Sequence, residues 1–597
     1  MKLSLNKVED IDLGELNSEK LEQVYLKQLS ERERKILGQI FTPRYIIRYI
    51  LHQIPIFDDF KAIPPSFNLK ILDPACGLGR FLLEAYDFLK EKLSKKGWAA
   101  REIHEFLLAH CLYGIDIEPL AVEFTRISLN MKCKNHPIKN LLIKEGNILL
   151  REMNKQEELK EEDFNVIIGN PPYFLMSHSG KGSTRGKQFH TTYLSEELIE
   201  KYRSWYKAWP RNNQDQNIFY LFIERGIQLL LEGGYLGFII PDILLSGETT
   251  ENLRKLILET CCIVKILTIE GQVFADRGIS NIIIILQRCK DAKLRENNKI
   301  EVINTSTLEL IERDKQGDYS KFDERVQYVP QSMFQDIPQN NFAIRMTQDK
   351  SKIFKSIFKK LEEGILIKMG AIVEVQRGIE NLKKVDALDS NRSSEGSLKK
   401  LIASTNIKKY RIEWDATQFS HKFVDYNPQN PVYSHIIFKK KEWFDQPKIV
   451  LKRVSNKLVA ALDLGFEDGV DYFYALDSVQ MLWLKQNIEY KYDLKVILAI
   501  LNSEFMNFYY HTLFSYKQLF SRVQKAFLLE LPIPSEIPMK YQQQISILVN
   551  QLMKSYNKHT EKALNELIYQ LYFTQADLDQ FRTFFGKPLT LRDLPGI

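Results

Sequence analysis

Short apolar runs alternate with helical segments between residues 38 and 290, and this rhythm limits the fold more than any other feature. The runs are rich in Ile, Val and Leu, as is typical of strands buried on both faces. The predicted strands are Leu69–Leu72, Leu112–Ile117, Asn140–Ile143, Phe164–Ile168, Tyr235–Ile240, Ile263–Ile269 and Asn281–Leu286. The predicted helices between them are Phe81–Leu93, Pro119–Asn130, Asn217–Leu231 and Glu251–Thr260. This alternation predicts an α/β fold with a mostly parallel sheet covered on both faces.

The rest of the chain divides around this region. Residues 1–37 are charged and show helical spacing, which predicts a short helical extension. Residues 291–350 are charged and irregular, so we expect a connector there. Over residues 351–540 short apolar runs alternate with turn residues, which predicts a separate α+β or mainly β domain. An apolar stripe at helical spacing over residues 541–597 predicts a helical tail.

The net charge of +7 is unevenly distributed. Residues 351–460 contain 22 Lys and Arg against 12 Asp and Glu, which indicates a polyanionic partner. An ordinary solvated basic surface is the alternative. The six cysteines form no CxxC pair, which argues against a disulfide scaffold or a zinc ribbon. Since no run approaches the ~18 apolar residues of a membrane span and the N-terminus is polar, we expect a cytoplasmic protein without a membrane or metal partner.

Three of the predicted strands end in polar residues suited to ligand binding. The first is followed by DPACGLGRF, residues 73–81, which turns through two glycines into a helix. Glycines there permit positive φ and let a ligand approach the backbone closely. Asp73 would repel a pyrophosphate, which favours a cationic ligand bearing a nucleoside, such as S-adenosylmethionine. A plain strand–turn–helix connection is the alternative.

The other two strand ends carry an acid and an amide. GIDIEP, residues 114–119, places Asp116 where it can accept hydrogen bonds from ribose hydroxyls, with a helix N-cap as its alternative role. GNPPY, residues 169–173, contains two prolines without an N–H, so nearby carbonyls lack ladder partners, and Asn170 adds a side-chain carbonyl. These acceptors beside an aromatic ring fit the exocyclic amino group of a planar base, and an ordinary Asn-Pro turn is the alternative.

DPACGLGRF, GIDIEP and NPPY in this order resemble the amino-group DNA methyltransferases. GQIFTP, residues 38–43, resembles the first cofactor segment of that family and marks the γ arrangement. Within this class the chain is similar to the TaqI-type N6-adenine methyltransferases, which carry a C-terminal specificity domain. The resemblance covers residues 38–290 well, and 365–535 more loosely through VQRGI, LNS and LPIP. It implies a Rossmann-like S-adenosylmethionine-dependent methyltransferase sheet followed by an α+β or mainly β target-recognition domain.

The resemblance also implies which residues bind the cofactor S-adenosylmethionine. Thr42 would meet its methionine end, and Asp116 would bind the ribose. Asp73, Ala75 and Gly77 would hold the amino-acid moiety.

Two further positions follow from the resemblance. The family usually has an Asp near the third strand end to accept from the adenine amino group of the cofactor, whereas this chain has Asn147, whose amide oxygen could take that role. QVFAD, residues 272–276, resembles the segment whose aromatic residue contacts an extruded base, so Phe274 is the candidate. A core phenylalanine is the alternative for that position.

Asn170, Pro171, Pro172 and Tyr173 are the implied catalytic residues. Hydrogen bonds from the target amino group to Asn170 Oδ1 and the Pro171 carbonyl would localise the nitrogen lone pair for attack on the sulfonium methyl. Because the amino group is inaccessible inside a duplex, the base must be extruded, and Tyr173 would stack against it. We find no candidate metal ligands.

The sequence thus predicts a site-specific, S-adenosylmethionine-dependent DNA methyltransferase acting on N6 of adenine. Its predicted partners are double-stranded DNA and a separate restriction endonuclease of a restriction-modification system. N4-cytosine methylation is one alternative, because the same acceptors suit either amino group. Methylation of a protein glutamine, combined methylation and cleavage in one chain, and a non-catalytic DNA-binding module are others.

Overall fold

The chain separates into two compact units, Met1–Gln348 and Asp349–Ile597. The computed structural model describes residues 41–57, 68–150, 160–174, 176, 195–210, 217–274, 280–319, 325–382, 398–414, 423–466, 471–486, 492–514, 522–575 and 577–578. The helical extension expected over residues 1–37 lies outside this part of the chain.

The first unit is built on one β-sheet, of which the described residues provide nine strands. In chain order these are β1 (Ile71–Asp73), β2 (Leu112–Asp116), β3 (Ile143–Glu145), β4 (Phe164–Gly169), β5 (Leu230–Pro241), β6 (Cys261–Glu270), β7 (Asn281–Arg288), β8 (Lys299–Ser306) and β9 (Gln327–Pro330). Their spatial order is β3-β2-β1-β4-β5-β7-β6-β8-β9. The strands from β3 to β5 run parallel, and β7 is antiparallel to both β5 and β6. The α/β fold with a mostly parallel sheet is therefore confirmed, with two antiparallel strands, β7 inside the sheet and β9 at its edge.

Helices flank this sheet. They are α1 (Arg44–Gln53), α2 (Arg80–Ser94), α3 (Ala100–Phe106), α4 (Pro119–Asn130), α5 (Glu196–Trp205), α6 (Phe219–Leu229), α7 (Glu251–Thr260), α8 (Ala292–Asn297), α9 (Thr307–Gln316) and α10 (Met333–Asp336). Helices α4 and α7 have the predicted bounds. The third predicted strand is displaced, because pairing with β2 begins only at Ile143.

The described residues of 291–350 include two strands of this sheet, so the irregular connector expected there is not what the structure shows. They contribute β8, which pairs in parallel with β6, and β9, which pairs with β8. Ile300 and Val302 are buried on β8, while Glu301 forms an ion pair with Lys265 of β6 at 3.0 Å. The charged residues at alternate positions made this strand look like a connector in the sequence.

The second unit combines small sheets with helices, as the α+β prediction allows. Its strands are β10 (Leu366–Lys368), β11 (Val373–Arg377), β12 (Leu398–Ile402), β13 (Ile407–Lys408), β14 (Arg411–Ile412), β15 (Phe423–Asp425), β16 (Lys448–Lys452), β17 (Ala460–Asp463), β18 (Tyr474–Ala475), β19 (Val479–Leu484) and β20 (Pro532–Pro534). Its helices are α11 (Gln348–Glu362), α12 (Leu494–Asn502), α13 (Glu504–Phe514), α14 (Lys525–Leu529), α15 (Met539–Lys554) and α16 (Lys558–Tyr572). The largest sheet has the order β11-β19-β16-β17. In the region expected as a helical tail, α15 and α16 pack against each other and against α12.

None of the helices that the structure describes has the length and apolarity needed to cross a membrane. Likewise, the described residues contain no group of three or more His, Cys, Asp or Glu side chains arranged to hold a metal ion.

Candidate active site

The carboxyl ends of β1, β2, β3 and β4 surround one cavity in the first unit, the place where open parallel sheets bind ligands. Nine of the residues singled out in the sequence line this cavity, although the first and last of them are 130 positions apart in the chain. They are Thr42, Asp73, Ala75, Gly77, Asp116, Asn147, Asn170, Pro171 and Pro172.

The turn between β1 and α2 forms the floor of the cavity. Gly79 is the N-cap of α2 and has a φ of 74°, which favours glycine. A Cβ at this position would lie 2.6 Å from Thr125 Cγ2, so α4 also requires glycine here. Thr125 Oγ1 in turn donates to the carbonyl of Gly77 at 2.8 Å. Helix α4 therefore holds the turn in a shape that leaves its backbone open to a ligand.

Asp73 at the end of β1 is a buried carboxyl, only 1% exposed. Its Oδ1 accepts from the backbone N–H of Ala75 at 3.2 Å. Burial raises the pKa of Asp73 to about 8, the hydrogen bond from Ala75 opposes this increase, and the charge of Asp116 adds to it. A Cβ on Gly169 of the neighbouring strand β4 would lie 2.9 Å from Asp73 Oδ1, so glycine there lets the two strand ends approach. This carboxyl is suited to receive a cationic group.

Asp116 at the end of β2 supports the turn as well as lining the cavity. Its Oδ2 accepts from the N–H of Gly77 at 2.7 Å, and its Oδ1 accepts from the N–H of Glu118 at 2.9 Å. Burial raises the pKa of Asp116, while these backbone donors lower it. Glu118 is the N-cap residue of α4 but makes no side-chain cap, and it lines the cavity too. The N-cap role considered as an alternative for Asp116 therefore does not apply, because Glu118 occupies the N-cap position and Asp116 lines the cavity.

Asn147 follows β3 and is held on both sides of its amide. Its Oδ1 accepts from the N–H of Leu149 at 3.1 Å, and its Nδ2 donates to the hydroxyl of Tyr202 at 2.8 Å. Because the N–H of Leu149 is only a donor, the amide oxygen must face it. An oxygen with two lone pairs retains one for a ligand.

Tyr202 is a cavity residue that the sequence analysis missed. It lies on α5, within the polar stretch 174–213, where no helix was predicted. Ser195 caps this helix by accepting from the N–H of Leu198, and the apolar spacing of Ile199, Tyr202 and Tyr206 was the available signal. Tyr206 also donates to the carbonyl of Leu149 at 2.7 Å, so α5 is fixed against the segment that contains Asn147.

Asn170 at the end of β4 has its amide oriented by the first cofactor segment. Its Nδ2 donates to Oγ1 of Thr42 at 3.0 Å. Its Oδ1 is buried and accepts no hydrogen bond from any residue that the structure describes. A buried acceptor of this kind costs about 1–3 kcal/mol when it stays unsatisfied, so its presence beside a cavity points to a donor on a ligand.

Two predicted aromatic residues lie apart from the cavity wall. Tyr173 is buried, donates to the carbonyl of Ile239 at 2.7 Å, and packs edge-on against Phe219 with 6.0 Å between ring centroids. Its neighbour Phe174 lines the cavity instead. Phe274 follows β6 and is also buried, and its carbonyl accepts from the side chain of Gln272 at 2.9 Å.

Comparison with known families finds a match within each unit. Residues 110–274 match the Eco57I restriction-modification methylase family. Residues 399–533 match the TaqI-like C-terminal specificity domain. The chain thus carries an Eco57I-type methylase domain and a TaqI-like specificity domain. The predicted resemblance is confirmed in both halves, and the cavity lies in the unit that contains the methylase domain.

Curated relatives of the methylase domain are similar over part of their length. The type II restriction enzyme and methyltransferase RM.Eco57I of Escherichia coli is 26% identical over 295 residues, which are 42% of this chain and 28% of that protein. The type II methyltransferase M.BstVI of Geobacillus stearothermophilus is 26% identical over 236 residues, 39% of this chain and 38% of that protein. The chain thus spans well under half of these relatives.

A solved structure shares the fold of both domains. The type IIL restriction-modification enzyme MmeI, solved in complex with DNA, aligns with 98% of this chain and 83% of its own length. The TM-score is 0.60 at 12% sequence identity. This likeness shows the fold, and the two family matches identify its parts as a methyltransferase sheet and a C-terminal specificity domain, as predicted.

Proposed function

We propose that this protein is a DNA methyltransferase of a restriction-modification system that methylates N6 of adenine. The orientation of Asn170 is the observation that carries the proposal, because its buried Oδ1 lacks a donor among the described residues. The restriction-modification methyltransferases named among its relatives support the same activity.

The residues of the cavity fit S-adenosylmethionine as the cofactor. Asp73, a buried carboxyl that forms no ion pair with the described residues, suits the ammonium of the amino-acid moiety. Asp116 suits the ribose hydroxyls, and the remaining lone pair of Asn147 Oδ1 suits the adenine amino group. Thr42, which contacts Asn170, suits the methionine end. Bound S-adenosylmethionine supplies a methyl group on a positively charged sulfur.

The protein residues act on the target amino group. Asn170 Oδ1 and the carbonyl of Pro171 accept hydrogen bonds from that group, which favours a pyramidal nitrogen with a localised lone pair. Pro172 has no N–H that could compete for these acceptors. This arrangement needs no strong base, because positioning and hydrogen bonding supply much of the acceleration.

The target base must leave the duplex to reach these acceptors. The resemblance alone leads us to assign contacts with the extruded base to Tyr173 and Phe274, which are buried apart from the cavity wall. The hydrogen bond from Tyr173 to the carbonyl of Ile239 fixes the position of its ring. Stacking on an aromatic side chain contributes about 1–3 kcal/mol, which offsets much of the cost of unstacking.

The specificity domain would bind the duplex, and the positive excess over residues 351–460 supports this role. A separate restriction endonuclease would complete the system.

The decisive experiment is transfer of a labelled methyl group from S-adenosylmethionine to mixed-sequence duplex DNA, followed by nucleoside analysis. We expect N6-methyladenine from the wild type, none from Asn170→Ala, and wild-type levels from Asn297→Ala, an exposed asparagine on α8. Formation of N4-methylcytosine would show that cytosine, and not adenine, is the target base. Label on protein alone would show that the substrate is a protein and not DNA. Undiminished transfer by Asn170→Ala would overturn the mechanism.

A further inference from the structure

Three arginines lie together at one end of the largest sheet of the second unit. Arg377 ends β11 and pairs in register with Gln480 of β19, which pairs in turn with Leu451 of β16. Directly paired residues of antiparallel strands project to the same face. Arg453 follows Leu451 by two positions, and its N–H donates to the carbonyl of Ser478 at 2.9 Å. Because side chains alternate between the faces of a strand, Arg453 lies on the same face as Leu451.

The third arginine comes from a distant part of the chain. The N–H of Val523 donates to the carbonyl of Arg453 at 2.7 Å, and Val454 forms an isolated β-bridge with Arg522. The side chain of Gln480 donates to the carbonyl of Val523 at 2.6 Å. These contacts hold the segment that begins at Arg522 against the same end of the sheet. Arg522 itself is exposed.

Arg453 lies close enough to the other two arginines for their positive charges to act on it. The pKa of Arg453 is lowered by burial and by the positive charges of Arg377 and Arg522. The side chain of Arg377 is 45% exposed and that of Arg453 is 18% exposed, so Arg377 is more accessible to solvent than Arg453.

Two described carboxylates, Asp477 and Glu380, offset only part of this charge, because the pKa of Arg453 stays lowered despite them. Asp477 lies 3.6 Å from Arg453, and Glu380 lies 3.7 Å from Arg377. Glu380 is also bound by Lys439 at 2.5 Å, and this contact lowers the pKa of the Glu380 carboxyl. Three cations, Arg377, Arg453 and Lys439, therefore pair with two carboxylates, and Arg522 forms no ion pair within the described residues.

We propose that Arg377, Arg453 and Arg522 form a binding site for a backbone phosphate of duplex DNA. Guanidinium groups match phosphate oxygens in bidentate geometry, and a phosphate between them would relieve the repulsion. This inference rests on the proposed function. It adds a phosphate contact that includes Arg522, a residue outside the basic stretch 351–460. Such a contact positions the duplex and carries no sequence information.

The test uses the full chain and fluorescence anisotropy with labelled duplexes at several salt concentrations. For Arg522→Gln we expect affinity roughly five- to tenfold lower at 0.1 M salt, and a slope of log K against log salt smaller by about 1. The loss should be the same for duplexes of different sequence. Lys562→Gln removes one charge from an exposed position on α16 and should leave the slope unchanged.

The possible outcomes distinguish failure of the proposed function from failure of the phosphate site. If the wild type bound no duplex DNA, the proposed function would fail. If the wild type bound DNA but Arg522→Gln matched Lys562→Gln, only the phosphate site would be overturned. A loss confined to one DNA sequence would also reject it, because it would indicate base readout. Circular dichroism of both variants verifies folding, and Arg377→Gln provides a second variant with the same expectation.

Discussion

The side chain of Asn170 is oriented by Thr42, whose Oγ1 accepts a hydrogen bond from Nδ2 over 3.0 Å. The two residues are 128 positions apart in the chain. The bond leaves Oδ1 as the free end of the amide, and this is the atom that the proposed reaction requires.

The first prediction tests this orientation. Thr42→Val keeps the shape of the side chain and removes the acceptor, so the amide can rotate. We expect kcat for methyl transfer to fall roughly tenfold, which corresponds to the loss of one hydrogen bond of ordinary strength. Thr42→Ser keeps the hydroxyl and should retain most of the activity. Equal rates for the valine and serine variants would refute the orienting role.

The second prediction concerns the pH dependence of stability. Burial, with a contribution from Asp116, raises the pKa of Asp73 from 3.8 to about 8. Between these values the folded chain without cofactor holds a proton that the unfolded chain releases. Stability from this group therefore falls as pH rises from about 4 to about 8. Asp73→Asn removes the effect, so its Tm relative to the wild type should increase across this range, and a constant difference would contradict the assignment.

The third prediction concerns the adenine end of the cavity. Tyr202→Phe removes the partner of Asn147 Nδ2 and leaves the amide free to turn. We expect the affinity for S-adenosylhomocysteine, measured by isothermal titration calorimetry, to fall roughly three- to tenfold. Asn147→Asp should bind well, because the hydroxyl of Tyr202 can then donate to the carboxylate. Unchanged binding by Tyr202→Phe would show that the contact is only structural.

The fourth prediction concerns the core of the second unit. Lys448 and Asp463 are buried and form an ion pair at 2.6 Å. Lys448 also donates to the carbonyl of Phe444 at 2.7 Å. Lys448→Met leaves the carboxylate buried without its cation, so unfolding in urea should show a loss of about 3–5 kcal/mol. Lys562→Gln at the surface should change the free energy of unfolding by less than about 0.5 kcal/mol.

The sequence predicted the strand ends because their signals are local. The apolar runs that form β1, β2 and β4 are each followed by polar residues of the cavity, and the parallel arrangement of the strands brings those residues together. Thr42 was placed by resemblance alone, and its bond to Asn170 needed the structure. The burial that raises the pKa of Asp73 arises from tertiary packing, which the local sequence does not predict.

Other features were missed because long-range contacts decide them. Tyr202 lies on a short helix inside a stretch rich in Gly, Ser, Thr and Lys, and the composition of that stretch concealed its helical spacing. Strand β8 was concealed by charged residues such as Glu301, whose partner Lys265 lies on a neighbouring strand. The arginine cluster joins Arg522 to Arg453 through backbone pairing that no sequence period indicates.

The contact of Tyr202 with Asn147 has a thermodynamic consequence for α5. A ligand that holds the amide of Asn147 in place also stabilises the hydroxyl that this amide contacts. By linkage, the ligand stabilises the contact between Asn147 and Tyr202 by the same free energy by which an ordered α5 strengthens ligand binding. Amide hydrogen exchange in α5 should therefore slow as the cofactor site fills, so that this ten-residue helix reports cofactor occupancy.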